Sequence, residues 1–342
     1  MSDKKTISNA IRNSFALEFL WQTSDPFLFC AFHRDNFPRG NGELGPDASL
    51  AGRNIGQDFE LRDGWRMYHG DRIPGFPGHP HRGFETITIV PHGLVDHADS
   101  LGAAGRYGDG DVQWMTAGKG LQHSEMFPLL DKDDDNPLLL FQIWLNLPAA
   151  SKMVEPNFTM FWKEDIPVVK SADDQGKHTR VEVVAGKYEG TAAPSPPPDS
   201  WAADPDSHVA VWLVELEEGA TWTLPAHATG LSRMLYFYAG ESIDAAGQAI
   251  QVSHGLQLNS EESLLIKAIG QSASLLLLQG KPIAEPVAHY GPFVMNTREE
   301  LQQAFTDYQR DQFGGWPWER NDQVHGERGR FARYVDGREE EP

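Results

Sequence analysis

Short runs of hydrophobic alternation, each closed off by Gly, Pro, Asn or Asp, constrain this chain more than any other feature. They fall at residues 84–90, 138–145, 179–185, 208–215, 235–238 and 274–278. A period of two over so few residues makes strands, and many short strands with turn residues between them close into sandwiches or barrels. The 33 glycines and 23 prolines supply those turns. An all-β chain of 342 residues has room for two halves with substantial cores. The natural division follows the Pro-Ala-Ala-Ser-Lys segment at 148–152, giving domains of 1–150 and 151–315 and a charged extension over 316–342.

One helix is expected near the end. Thr297 and Glu300 form a capping-box pattern, Leu301, Ala304, Phe305 and Tyr308 recur at helical spacing, and Gly314-Gly315 stops it. Beyond Trp318 the density of charge reads as a flexible or partner-wrapping tail. The proline-rich run 192–201 reads as a surface loop inside the second half.

Charge narrows the function. With 29 Lys+Arg against 49 Asp+Glu the net charge is −20, so the global field repels nucleic acid and anionic membrane. The amino terminus has charges but no apolar segment behind them, and no apolar run approaches the roughly 18 residues of a membrane span, which points to the cytoplasm. Cys30 is the single cysteine; set among phenylalanine and leucine, it reads as buried filler.

The chemistry concentrates in two short motifs. His79 and His81 stand two residues apart at the head of a β-branched run, so on a strand they share a face; the same parity carries on through Glu85, Ile87 and Ile89. Forty-two residues after His81, His123 and Glu125 repeat the arrangement. A lone H-x-H is common, and a lone histidine is more often hydrogen-bonded structure than ligand. Two neighbouring strands offering three imidazoles and a carboxylate to one point make a mononuclear metal site suited to iron, copper, nickel or zinc, with positions left for substrate. Motifs for zinc proteases, serine hydrolases, paired cysteines and phosphate loops are absent.

The stretches 79–86, 97–102, 110–118 and 123–126 resemble the pirin family, as do Leu-Asn-Leu-Pro at 145–148, Lys152-Met153 and residues 290–296. That resemblance implies a bicupin: two cupin-type β-barrels with a short C-terminal helix, and one divalent metal in the first barrel only. Iron is the foremost candidate, with nickel, copper, manganese and zinc as alternatives. The ligands it implies are His79, His81, His123 and Glu125; Glu85 supports them without binding, and His227, lacking a partner histidine in the second half, is structural. It further implies a quercetin 2,3-dioxygenase-type activity on a flavonol or similar small aromatic substrate, with Glu125 as catalytic base. The alternative is a metal-dependent regulatory protein that binds a transcription factor or metabolic enzyme. Trp65, Phe76, Phe84 and Trp114 lie near the motifs, and most are expected to be core. Three features depart from the family's pattern: the long polar segment 33–62, the proline-rich loop and the charged tail.

Overall fold

The computed structural model describes residues 9–342; most of the amino-terminal reading lies outside them. Strands dominate, as the alternation predicts, and the chain divides into two compact units. One takes residues up to Cys30 together with Asp165–Ala284, the other Ala31–Glu164 together with Glu285–Pro342. The units are therefore discontinuous, where a single cut after residue 150 is the simplest expectation. The strand Phe27–Phe37 carries the chain from one unit into the other.

In the first unit a seven-stranded sheet runs Ile11–Ala16, His254–Leu258, Ser232–Ala239, Ala273–Gly280, Ala210–Leu216, His178–Ala185 and Val168–Ala172 in spatial order. A four-stranded sheet of Thr221–Leu224, Leu264–Ile269, Ser242–Ala245 and Gln248–Gln251 accompanies it. Alternate residues of both sheets, among them Val183, Trp212, Leu235, Leu277, Trp222, Ile243 and Ile266, form one core. The proline-rich loop lies within this unit, opening with a two-residue strand at Thr191–Ala192 and closing in a single 3₁₀ turn at Trp201–Ala203.

The second unit is likewise built mainly on two larger sheets. One runs Asn157–Phe161, Val112–Thr116, Phe84–His92, Asn136–Asn146 and Phe27–Phe37; the other runs Glu339–Glu340, Phe331–Arg333, Ala104–Gly108, Leu94–Asp99, Leu121–Met126 and Gly75–His81. The helix Arg298–Asp311 starts with the expected capping box, Thr297 accepting from Glu300 N and Glu300 accepting from Thr297 N. It ends before the glycine pair, at Gln312, whose φ of 51° makes the left-handed cap.

The tail corrects the sequence reading. Phe331–Arg333 pairs with Ala104–Gly108 through Phe331↔Arg106 and Arg333↔Ala104, and its charges neutralise one another locally. Arg328 holds Glu339 and Glu341, and Arg330 holds Asp111 and Glu164. Charge density was misleading because these charges are paired on a folded surface instead of solvated along a free chain. Among the described residues no helix is long and apolar enough to cross a membrane. Cys30 is fully buried, and burial pushes its thiol pKa up.

Candidate metal centre

His79 and His81 sit on Gly75–His81, and His123 and Glu125 on its antiparallel neighbour Leu121–Met126, with His79 directly opposite His123. The imidazoles converge as their parity requires: ring centroids are 4.8 Å apart for His79 and His81, 4.5 Å for His79 and His123, and 4.9 Å for His81 and His123. One donor atom from each of the three lies within 4.8 Å of the others. Two donors bound to one ion at ~2.1 Å stand at most about 4.2 Å apart, so small side-chain adjustments would bring all three into bonding range.

Satisfaction of the nitrogens is the test of fit. His79 Nδ1 donates to Pro77 O at 2.9 Å, which fixes its tautomer and leaves Nε2 with its lone pair free. His81 Nδ1 and both nitrogens of His123 are buried without a hydrogen-bond partner in the protein. Each such atom costs about 1–3 kcal/mol, and a cation that takes one lone pair from each ring would relieve part of that cost. Burial also holds the histidines neutral, the form a metal requires: His79 is pushed down to about 4, and His81 and His123 lie well below the usual range, each chiefly because desolvation opposes the charged ring.

Glu125 stands beside this trio, with Oε2 3.7 Å from His123 Nε2. Its carboxylate crosses to the other sheet, where Gln142 Nε2 donates to Oε2 at 3.0 Å and Thr88 Oγ1 lies 3.2 Å from Oε1. Desolvation raises its pKa to about 7, while the neighbouring His97 and these two hydrogen bonds act in the opposite direction.

Glu85 does not share the histidines' face. The strand Gly75–His81 ends at His81, the chain turns through Gly83 at φ 85°, and Glu85 opens a strand of the opposite sheet, accepting from Thr116 Oγ1 at 2.6 Å. Parity does not survive a turn. A Cβ at Gly83 would stand 2.0 Å from Val294 O, so the turn requires glycine. Lys152 Nζ fixes the same turn, donating to Gly83 O at 2.9 Å, Asn146 Oδ1 at 2.7 Å and Val294 O at 3.2 Å.

Of the four aromatic residues near the motifs, Trp65, Phe84 and Trp114 are core, whereas Phe76 is half-buried with its ring centroid 6.3 Å from that of His79. Spacing alone misses Thr88, Gln142 and His97. His97 is opposite Glu125 in register, with its ring 5.5 Å from that of His123 and Nε2 3.5 Å from Asp99 Oδ2. Its place in the motif at 97–102 is the signal that could have found it. In the first unit His227 is exposed and its Nδ1 accepts from Ala228 N at 2.7 Å; it belongs to no cluster of potential metal ligands among the described residues.

Known proteins resemble this chain over most of its length. The family model described as Pirin matches residues 50–145, and that described as Pirin C-terminal cupin domain matches residues 211–314. The chain is 40% identical over 244 residues to a pirin-like protein of Caulobacter vibrioides, covering 71% of this chain and 82% of that one. It is 38% identical over 243 residues to a Vibrio cholerae protein carrying a provisional quercetin 2,3-dioxygenase name, covering 71% and 81%. A crystal structure of quercetin 2,3-dioxygenase from Acinetobacter baumannii superposes with a TM-score of 0.70 at 26% identity, covering 90% of this chain and 98% of that one. The chain belongs to the pirin family of two-domain cupin proteins.

Proposed function

We propose that the protein is a metal-dependent dioxygenase of the quercetin 2,3-dioxygenase type, acting on a flavonol or a similar aromatic enol. The observation that carries this reading is the set of buried, unpartnered nitrogens of His81 and His123 beside His79. His79, His81 and His123 would hold one divalent ion, iron by preference, with Glu125 as the fourth ligand or as a base beside it. When bound, the metal supplies Lewis acidity toward the enol and carbonyl oxygens of the substrate and a path for electrons to dioxygen.

The chain's own residues supply the rest. Glu125 accepts the enol proton at Oε2, the oxygen nearer His123, and its burial favours the protonated product. Gln142 keeps that oxygen oriented through its 3.0 Å hydrogen bond. Phe76 presents an aromatic edge beside His79, where a flat substrate can pack. The Acinetobacter structure supports the substrate class by likeness of fold and name.

The test is aerobic incubation of the iron-loaded protein with quercetin. Loss of the flavonol absorbance with release of one carbon monoxide per molecule consumed is expected. Unchanged absorbance and no carbon monoxide, with the metal shown to be bound, would overturn the assignment.

A further inference from the structure

We propose that the segment 316–340, which lies beyond the family's second-domain match ending at 314, is the outer clamp of the metal centre and sets how slowly a bound ion leaves. The inference rests on the metal reading above. It concerns which residues of this chain hold the ligand-bearing strands in place.

The segment touches the strand that bears His79 and His81 directly, and reaches the strand that bears His123 and Glu125 through its neighbour Leu94–Asp99. Gly75–His81 is the edge strand of its sheet, so one row of its backbone groups lacks a neighbouring strand. At that edge Gly78 N, adjacent to His79, donates to Asn321 O at 2.7 Å, and the Trp316 ring lies over Gly78. Trp318 Nε1 donates to Asp99 O at 2.7 Å, and Asp99 is opposite His123 in register. His325 Nε2 donates to His97 O at 2.8 Å, and His97 is opposite Glu125.

The anchor is ionic and buried. Arg106 and Asp96, both fully buried, form a two-pronged pair at 2.6 and 2.7 Å. Arg106 Nη1 then donates to Gly326 O and Arg328 O, while Asp96 Oδ2 accepts His325 N at 2.9 Å. The tail therefore docks on a buried polar socket and passes that registry to positions adjoining or facing three of the four candidate ligands. These contacts hold backbone beside the ligands, one step further out than partners bonded to the ligands themselves, and their loss should loosen ligand orientation in the same way.

Two substitutions and one rescue variant isolate the effect. Trp318→Phe keeps an aromatic six-membered ring but loses the pyrrole ring with its N–H; His325→Ala removes the bond to His97 O, and His325→Gln restores a donor there. Each full-length protein is loaded with Zn(II), and release into excess 4-(2-pyridylazo)resorcinol is timed; Co(II)-loaded samples report ligand geometry through their visible bands. His325→Ala and Trp318→Phe should release Zn(II) about 10-fold faster than wild type, with shifted Co(II) bands, and His325→Gln should return both toward wild type. Wild-type release rates and Co(II) bands in Trp318→Phe and His325→Ala would overturn the proposal, even if their thermal stability fell. A wild-type chain that takes up no Zn(II) or Co(II) would overturn the metal reading itself.

Discussion

Replacing Arg106 with methionine should be among the most destabilising single changes in the second unit. The guanidinium is fully buried, its Nε and Nη2 hold the two oxygens of Asp96, and its Nη1 holds two carbonyls of the tail. Methionine fills much of the volume but leaves the buried Asp96 carboxylate with the His325 backbone N–H and no cation. Breaking one side of such a pair costs about 3–5 kcal/mol, because the remaining charge is uncompensated. For a unit of this size each kcal/mol moves the midpoint by about 2–4 °C, so Tm should fall by roughly 6–20 °C. Removing both charges should cost less than the sum of the separate changes: Asp96→Leu combined with Arg106→Met should recover part of the loss. Calorimetry on the four proteins measures this. A single-variant loss below about 1 kcal/mol, or strict additivity in the double variant, would refute the argument that the pair is mutually dependent.

Other predictions follow from separate features. Thr297→Ala removes the hydroxyl that accepts Glu300 N and should cost about 1 kcal/mol, read as a lower urea midpoint with unchanged slope. Gly83→Ala places a Cβ 2.0 Å from Val294 O at a positive φ and should displace the turn after His81, measured as weaker Zn(II) affinity together with a lower Tm. Asp35 is raised from 3.8 to about 6, principally by burial. The native state then holds its proton more tightly than the unfolded chain, so the contribution is full below pH 3.8 and is lost as pH rises through about 6, by up to ~3 kcal/mol. Asp35→Asn should flatten stability between those pH values in urea titrations; an unchanged slope would contradict the assignment.

How far the sequence could be read depended on how local each signal was. Alternation identified strands wherever hydrogen-bonding neighbours impose one buried face, and the Thr297–Glu300 box marked the helix start because capping is a contact across three residues. The pairs His79–His81 and His123–Glu125 were legible for the same reason, each lying within one unbroken strand. Period-two logic does not carry through the Gly83 turn, where direction and sheet both change, so Glu85 leaves the histidines' face. Thr88, Gln142 and His97 reach Glu125 through cross-strand register or across the two sheets, neither of which is encoded in spacing. Composition reports the number of charges in the tail but not their partners, so it does not reveal that Arg328 and Arg330 are paired on a folded surface.

The central claim is that His79, His81 and His123 grip one ion. Metal content of the purified protein, reconstituted with iron(II) without oxygen and then desalted, tests it most directly when wild type and His123→Ala are measured side by side. The account predicts one equivalent of metal per chain in wild type and near none in the variant. Metal-free wild type, or equal content in both proteins, would contradict it.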